Sequence, residues 1–465
     1  MRSQIVLVAL VGSIVELSLA APSAPPARNG EREEMSGVLG NIEVDINHID
    51  DLTGQSTGTD IFSNLLNDFK LIKAVAAPND IFAARRQLSD ILLAKPRNIV
   101  QAASELVAAG LTADNVESAV NFLEGALDGE NSENNVNPGL HFGAVYPQEG
   151  REDAPYDLSE ARLRGAIHIP PTFRYGASGA PQPVILVPGT GNTGYITFEG
   201  NYIKLLTGSD IADPVWLNIP GFLNDDVQTN AEYVAYAINY ISRISNNREV
   251  AVVTWSQGGV DAQWALKYWP STRDKVTDVV AFSPDYKGTI NANFAETPET
   301  PLPPAYLQQE YYSNLVRALR SNGGDSAYVP TTTIYSGFFD EIVEPQQGQN
   351  ASAYLFDARD VGVTNNEVQA ICPGQPAGSF YSHEGTLYNP IGYALLVDAL
   401  QHDGPGRVSR VDAKLETLCG DYLTPGLDLA DFLVTENTLL VAAVTLLLNP
   451  HKATVEPAIK AYAEY

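Results

Sequence analysis

The feature that most constrains the fold is an apolar run that ends in a serine followed by glycines. Residues 250–255 form the run, and Ser256 and the Gln-Gly-Gly of 257–259 follow directly. Such a run is typical of a strand buried on both faces, and the glycines let a following helix pack closely against it. The pattern predicts a nucleophile elbow, a sharp strand-to-helix turn that projects the Ser256 hydroxyl above a sheet. Thr254 stands where the general motif has its first glycine, so the alternative is an ordinary strand end with a helix-capping serine.

After about residue 180, short apolar runs alternate with segments of helical length. The runs are rich in β-branched residues and apolar on both faces, as buried parallel strands are. Four of them cover residues 184–187, 250–255, 276–282 and 331–335. Helical segments such as 229–245 and 260–269 lie between them. This alternation predicts an α/β fold with a doubly wound, mainly parallel sheet over residues 181–465.

The chain before residue 181 divides into four segments of different composition. Residues 1–20 have a short apolar stretch and end in Ser-Leu-Ala, which is typical of a signal peptide. Residues 21–58 are rich in Pro, Gly, Asp and Glu and are expected to be a flexible leader. Residues 59–127 repeat apolar residues at helical spacing and predict a small helical segment. Residues 128–180 begin with a polar stretch without periodicity, so we expect a domain boundary there and a linker into the sheet.

The signal peptide predicts a secreted, extracellular protein. An uncleaved membrane anchor is the alternative, but Glu16 at the end of the apolar stretch would be costly in lipid, and we expect no stable anchor. The chain has 28 Lys and Arg against 56 Asp and Glu, a formal net charge of −28. Phosphate backbones and anionic membrane surfaces would repel such a molecule, so nucleic acid is not expected as a partner.

The chain contains two cysteines, Cys372 and Cys419. An oxidising export route favours a disulfide between them, and two free buried thiols are the alternative. A disulfide at Cys372 would also help to hold the nearby loop that contains His383.

A serine hydroxyl becomes a good nucleophile when an imidazole takes its proton and a carboxylate orients the imidazole. Among the six histidines, His383 follows a strand-like run and is the candidate base, with His402 as the alternative. Asp340 comes just past a predicted buried strand, where it could orient the base, and Glu341 is the alternative acid. The chain order Ser256, Asp340, His383 is the order found in α/β-hydrolases.

A glycine-rich loop over residues 186–194 follows the first predicted strand. A tetrahedral intermediate needs hydrogen-bond donors aimed at its oxyanion, and this loop lies at the right place in the chain to supply one. The backbone N–H groups of Thr190 and Gln257 are the candidates for this oxyanion hole. Glycines after a strand also suit phosphates, but no Walker lysine follows. This chemistry needs no metal and no cofactor, and we expect neither.

Four segments resemble the Candida antarctica lipase B type of fungal lipase, within the α/β-hydrolase superfamily. They occur in the same order and at suitable spacing, and they cover residues 187–191, 254–259, 281–289 and 340–343. The resemblance extends from about residue 180 to the end of the chain, includes the pair Cys372 and Cys419, and accounts for Thr254, because that family also has threonine there.

The resemblance implies a triad of Ser256, Asp340 and His383, and an oxyanion hole from Thr190 and Gln257 in which the Thr190 hydroxyl also donates. It implies a substrate-binding role for four further residues, which are Trp255, Asp285, Gln309 and Asn192.

The chain departs from the family pattern at several positions. Asn192 stands in place of a threonine beside the alcohol pocket, Leu307 in place of a tryptophan, and Ser382 in place of the aspartate before the histidine. A proline-rich stretch over residues 290–304 replaces a small helix beside the entrance, so the family's lid behaviour does not carry over. Residues 21–180 have no counterpart in the short family member.

The expected function is that of a secreted serine ester hydrolase, a lipase, which cleaves esters of apolar acyl chains, above all acylglycerols, through an acyl-serine intermediate. The alternatives are a cutinase-like polyesterase or an acyltransferase, and a catalytically silent hydrolase-fold binding protein. We expect a monomer that binds a lipid or ester substrate at an oil–water interface. The helical segment 59–127 is either a removed pro-region or a permanent cover of the active-site mouth; the dibasic pair at 85–86 resembles a processing site but falls inside a helical pattern.

Overall fold

The computed structural model of the chain describes residues 66–124, 127–140, 145–291 and 301–464. The expected signal peptide (1–20), the leader (21–58) and the first residues of the helical segment lie outside the described residues. Most of the proline-rich stretch 290–304 lies outside them as well.

The described residues form one seven-stranded sheet in the order β1-β3-β2-β4-β5-β6-β7. All neighbouring strands run parallel except β1, which pairs with β3 in the antiparallel direction. The strands are β1 (Ile167–His168), β2 (Gln182–Val187), β3 (Ala212–Leu217), β4 (Val250–Trp255), β5 (Val276–Phe282), β6 (Thr331–Tyr335) and β7 (Val363–Glu367). The four strands that the sequence predicts are β2, β4, β5 and β6, and they form the centre of the sheet; this confirms the predicted fold class.

The other three strands were not predicted, because their sequences do not show the pattern of a buried strand. β3 contains Pro214, which is uncommon inside a sheet, and β7 has the polar sequence Val-Thr-Asn-Asn-Glu. β1 has only two residues and lies at the edge of the sheet.

Helices connect and cover the strands. In the described residues they are α1 (Ile81–Leu93), α2 (Ile99–Ala108), α3 (Val116–Glu124), α4 (Glu160–Gly165), α5 (Gly194–Phe198), α6 (Tyr202–Leu206), α7 (Val227–Ile244), α8 (Gln257–Tyr268), α9 (Pro304–Gln308), α10 (Asn314–Arg320), α11 (Val368–Ile371), α12 (Pro390–Gln401), α13 (Val408–Gly420) and α14 (Leu429–Leu448). Residues 66–70 are also helical.

Both faces of the sheet are buried, as the doubly wound pattern requires. Ile185 and Val187 of β2 belong to a core cluster with α7 and α8, whereas Val184 and Leu186 belong to a second cluster with α12 and α14. Since successive side chains of a strand point to opposite faces, helices must cover β2 from both sides. The core therefore forms two layers, one on each face of the sheet.

α14 is the longest described helix and packs between the N-terminal helices and the sheet. It begins at a capping box in which Asp428 and Asp431 each accept a hydrogen bond from the other's backbone N–H. By length and composition it is the one described helix that could cross a membrane, with a mean hydropathy of 1.6, but 83 % of that window is buried inside the molecule. Its side chains Leu440 and Val444 share an apolar cluster with α2 and α3.

The segment 128–180 adds two elements to the body of the sheet domain. α4 packs against α7, and β1 extends the sheet through its pairing with β3. The backbone oxygen of Glu130 accepts hydrogen bonds from Trp216 Nε1 and Asn218 Nδ2, each at 2.8 Å. These contacts join the start of the segment to the residues at the end of β3.

A disulfide joins Cys372, which follows α11, to Cys419 near the end of α13. Both cysteines are buried. The bond joins the two ends of a loop that contains His383 and α12. It confirms the predicted pairing of the two cysteines.

Candidate active site

Ser256 lies at a strained turn between β4 and α8. Its φ of 54° and ψ of −130° are unusual for a residue with a side chain, and its backbone N–H donates to Phe282 O of β5 at 2.9 Å. A Cβ atom on Gly258 would lie 2.5 Å from Pro188 O, so only glycine lets α8 approach the end of β2 this closely. These are the features of a nucleophile elbow, in which a serine is presented at the carboxyl end of a central strand.

The imidazole of His383 is paired with Asp340. Nδ1 lies 3.0 Å from each carboxylate oxygen of Asp340, and both side chains are buried. Asp340 Oδ1 also accepts the backbone N–H groups of Ile342 and Val343, at 3.1 and 2.7 Å. Among the described residues, Nε2 of His383 has no hydrogen-bond partner, and no hydrogen bond joins it to Ser256 Oγ. A hydrogen bond of this kind often forms only when substrate is bound.

The backbone of His383 is held as firmly as its side chain. Its N–H donates to Glu341 Oε2 at 3.0 Å, and its carbonyl oxygen accepts from Trp255 Nε1 at 3.2 Å and Thr386 Oγ1 at 3.1 Å. The Trp255 ring lies 5.0 Å from the imidazole, centre to centre. Because Trp255 directly precedes Ser256, this hydrogen bond connects the elbow to the histidine segment.

The alternative residues that the sequence left open take other partners. Glu341 contacts the backbone of His383 and not its ring. His402 lies half-exposed at the end of α12, where its Nδ1 is 3.2 Å from Asp398 Oδ1. The structure therefore brings Asp340 and His383 together and places His402 in a separate contact with Asp398.

The charges around His383 favour its protonated form. Burial by itself lowers the pKa of the imidazole, but the charge and hydrogen bond of Asp340, with Glu341 and Asp285 nearby, raise the pKa above its usual value. Asp285 is buried and both of its carboxylate oxygens lack a hydrogen-bond partner among the described residues. Burial raises the pKa of Asp285 to about 7, an effect that the proximity of His383 partly opposes.

The two candidate residues of the oxyanion hole contact each other. Thr190 Oγ1 donates to Gln257 Oε1 at 2.6 Å and accepts from Gln309 Nε2 at 2.9 Å. Gln257 is the first residue of α8, and the first N–H groups of a helix have no acceptor within the helix. A Cβ atom on Gly189 would lie 2.7 Å from Ser256 Cβ, which places the loop directly against the elbow. The arrangement thus places backbone hydrogen-bond donors beside Ser256.

Asn192 and Gly191 connect this loop to α14. Asn192 is fully buried, and its Nδ2 donates to Thr190 O and Thr438 O, both at 3.3 Å. Gly191 has a φ of 80°, and a Cβ atom there would lie 2.6 Å from Ala442 Cα. The position at 192 therefore supports the loop that contains Thr190.

Sequence reasoning missed two buried glutamates near His383. Glu384 is 1 % exposed and both of its carboxylate oxygens lack a partner among the described residues. Glu436 of α14 is 0 % exposed and accepts hydrogen bonds from Ser382 Oγ and Tyr388 OH. The local sequence carried no signal for Glu436, because it stands in a polar run of α14 over residues 435–438 that is equally compatible with exposure to solvent.

The site offers a serine at an elbow, a histidine with an orienting aspartate, and donors beside the serine. This combination can transfer an acyl group by way of a covalent intermediate. Among the described residues, no group of three or more His, Cys, Asp and Glu side chains is arranged to hold a metal ion.

Comparisons with known proteins identify similar chains. No protein-family model matches the chain. A curated relative, lipase B of Pseudozyma antarctica, is 36 % identical over 293 residues, which are 62 % of this chain and 80 % of the relative. The crystal structure of Aspergillus fumigatus lipase B is 44 % identical with a TM-score of 0.80, and the match covers 92 % of this chain and 100 % of that one. Each relative is thus matched over most of its own length.

Proposed function

The chain belongs to the lipase B family and has the α/β-hydrolase fold, and from that premise we propose that it is a secreted lipase that cleaves esters of apolar acyl chains through an acyl-Ser256 intermediate. It is a carboxylic ester hydrolase by family, and its substrates are esters or lipids. One observation carries the catalytic assignment: His383 Nδ1 is bonded to Asp340, while Nε2 has no partner among the described residues and remains available to Ser256 at its strained turn.

The first half of the proposed reaction forms the acyl-enzyme. Ser256 Oγ attacks the carbonyl carbon of the ester while His383 Nε2 takes its proton, and Asp340 stabilises the resulting imidazolium. The carbonyl oxygen becomes negative and is stabilised by the N–H groups of Thr190 and Gln257. For the Thr190 hydroxyl to donate as well, it must exchange its bond to Gln257 Oε1 for one to the oxyanion. His383 then gives its proton to the leaving alcohol.

The second half releases the acid. Water loses a proton to His383 Nε2 and attacks the acyl carbon, the same donors stabilise the second oxyanion, and the proton returns to Ser256 Oγ. Asp285 and Gln309 are proposed to contact substrate on the acyl side, and Trp255 and Asn192 to border the alcohol side. Their positions next to His383 and Thr190 support this assignment.

The proposal is tested with Ser256→Ala. We expect turnover of a soluble short-chain ester to fall by several powers of ten, with the melting temperature unchanged within a few degrees. A fluorophosphonate probe should label the wild-type protein and not the variant. Wild-type turnover in Ser256→Ala, or a wild-type protein that resists the probe, would overturn the assignment and would favour a catalytically silent member of the fold. Rates on esters of increasing chain length then measure the acyl preference.

Secretion and the monomeric state are part of the proposal. The signal-peptide pattern of residues 1–20 and the disulfide between Cys372 and Cys419 support an oxidising export route. Mass spectrometry of the protein from the culture medium, together with its native mass, tests both. A protein that stays inside the cell would contradict the proposed localisation.

We propose that the helical segment 59–127 is a permanent cover of α14 rather than a removed pro-region. Val107 of α2 and Val120 of α3 are fully buried against α14, and Asn437 Nδ2 of α14 donates to Asp114 at 3.0 Å. Arg85 of the dibasic pair lies within α1, with its guanidinium 5.0 Å from the centre of the Tyr422 ring, so cleavage there requires α1 to unfold. A secreted protein that begins after residue 86 would overturn this proposal.

A further inference from the structure

Two carboxyl groups from different elements bind the His383 segment, and the proposed reaction uses neither of them. Glu341, in the loop after β6, accepts the His383 N–H at 3.0 Å. Glu436, in α14, accepts a hydrogen bond from Ser382 Oγ at 3.0 Å. The segment is thus fixed by two separate parts of the chain.

Ser382 closes the turn that contains His383. Its Oγ accepts the backbone N–H of Gly385 at 3.0 Å. A hydroxyl has one proton, and Ser382 gives that proton to Glu436, so its lone pairs remain available for Gly385. A Cβ atom on Gly385 would lie 2.9 Å from Ser382 Oγ, which shows how tightly the turn is packed. The acceptor at Glu436 therefore sets the orientation in which Ser382 closes the turn.

Packing alone does not explain a glutamate at position 436. The side chain is 0 % exposed, its hydrogen-bond partners are Ser382 Oγ and Tyr388 OH, and its Oε2 has no partner among the described residues. A buried carboxyl group that is only partly hydrogen-bonded destabilises a fold, and an apolar residue of similar size would pack there at lower cost. A glutamate at this position in spite of that cost indicates a role in the site.

We infer that Glu436 is a positioning residue for His383, acting through Ser382, so that helix α14 sets the direction of the imidazole. The inference rests on the proposed function of His383 as the base. Glu436 itself touches neither Ser256 nor the reacting atoms in this arrangement.

The test compares Glu436→Ala with Glu436→Gln. Alanine removes the acceptor, and we expect kcat on a soluble short-chain ester to fall about ten- to a hundred-fold, because small displacements of a catalytic group cost rates of that size. KM should stay within twofold of the wild-type value. Glutamine retains an acceptor oxygen for Ser382, and kcat should stay within about threefold.

Two further variants separate positioning from stability. Ser382→Ala removes the same hydrogen bond from its other end and also the acceptor of the Gly385 N–H, so its loss of kcat should be at least that of Glu436→Ala, and the double variant should lose no more than Ser382→Ala. Tyr388→Phe removes the other hydrogen bond to Glu436 Oε1 and keeps the ring, so it should lower the melting temperature without changing kcat. If Glu436→Ala does not fold, Ser382→Ala and Tyr388→Phe still provide the comparison.

The inference is overturned if a folded Glu436→Ala or Ser382→Ala retains kcat within twofold, or if the two losses multiply in the double variant. It is also overturned if Tyr388→Phe loses as much kcat as Ser382→Ala. Ser256→Ala is assayed alongside: if it keeps the wild-type rate, the proposed function itself has failed, whereas an inactive Ser256→Ala with an active Glu436→Ala refutes the positioning role alone.

Discussion

Among the described residues, every polar atom of His383 has a hydrogen-bond partner except Nε2 of the ring. Asp340 holds Nδ1, and the backbone N–H and carbonyl groups are bound by Glu341 and Trp255. The remaining atom is the one that a base must leave open for the nucleophile. A base built in this way loses little entropy when substrate binds, because its rotamer is already selected.

The two histidines left open by the sequence should behave differently when each is replaced by alanine. We expect His383→Ala to lower kcat by several powers of ten, since His383 is the proposed acceptor of the Ser256 proton. His402→Ala should leave kcat within twofold, because that imidazole is half-exposed and paired with Asp398. Steady-state rates on one soluble ester give both values. Equal losses in the two variants would contradict the choice of His383.

At the level of single residues, the sequence indicated the proposed catalytic groups and missed the buried glutamates beside them. Ser256 and Asp340 could be found because each follows a recognisable buried strand. Glu436 could not, because its burial depends on Ser382, which is distant in the chain. Local sequence contains no information about which helix a loop will meet.

The elbow between β4 and α8 depends on the absence of a side chain at Gly258. Gly258→Ala would place a Cβ atom 2.5 Å from Pro188 O, and either the helix or the oxyanion loop must move. We expect a loss of about 1–3 kcal/mol in the free energy of unfolding together with a fall in kcat. Gly139→Ala is the matched control, because nothing lies within 4 Å of its added Cβ atom. Chemical denaturation of both variants checks the prediction, and equal stabilities would contradict it.

The contact between α14 and the histidine segment should make stability depend on pH. Burial, the first cause in each case, raises the pKa of Glu341 to about 7 and of Glu436 to about 8 from an ordinary value of 4.5, and raises the pKa of Glu384 well above 4.5. Nearby carboxylates add to all three shifts, and hydrogen bonds from Tyr388 and Ser382 oppose the shift at Glu436.

The folded protein therefore binds more protons than the unfolded chain between pH 4.5 and about 8. This contribution to stability is fully present below pH 4.5 and is lost as the pH rises through 7 and 8. We expect the melting temperature to fall between pH 5 and 8.5, and to fall less steeply in Glu436→Gln than in the wild type. Glu416→Gln, which changes an exposed glutamate of α13, should follow the wild-type curve. Parallel curves for Glu436→Gln and the wild type would contradict the assignment.

At the level of elements, the sequence predicted the strands that helices cover on both faces of the sheet. β4 and β5 have helices on both faces, so nearly every residue in them is buried and the sequence shows a continuous apolar run. β7 lies at the edge of the sheet and is mostly half-buried, so polar residues are tolerated and the run disappears. Edge strands of this kind become visible only when the neighbouring strand is known.

Across the whole molecule, the N-terminal helices pack on α14 and also share an apolar cluster with Phe380 and Tyr381, just before His383. A cavity of about 150 Å³ also separates α1 and α2 from the loop that contains Asp340, with Leu92 and Ile99 on one side and Phe339 and Ile342 on the other. The cover therefore borders both the helix that contains Glu436 and the loop that contains Asp340.

A charge placed between α2 and α14 should test whether the N-terminal helices cover an apolar surface of the enzyme. Val107 is fully buried there, so Val107→Asp would force α2 away from α14 rather than bury a carboxylate. We expect increased binding of an apolar dye and a higher ratio of activity on an emulsified long-chain triacylglycerol to activity on a soluble short-chain ester. Phe82→Asp, at a position of α1 that is 63 % exposed, is the matched control and should leave both measurements unchanged. Increased dye binding with an unchanged activity ratio would contradict a covering role.

The disulfide between Cys372 and Cys419 has a consequence for the cell that makes the enzyme. At the end of α11, the Cys372 N–H donates to Val368 O, and Cys372 O accepts from Gln375 N in the turn that follows. The cross-link therefore shapes the path of the segment that contains His383. In the reducing cytosol this cross-link is absent, and a newly made molecule would hold its imidazole less firmly until it reaches an oxidising compartment. Under the proposed secretion, the fully cross-linked protein would exist only after the chain has left the cytosol, so the cytosolic face of the cell's bilayers would not meet it.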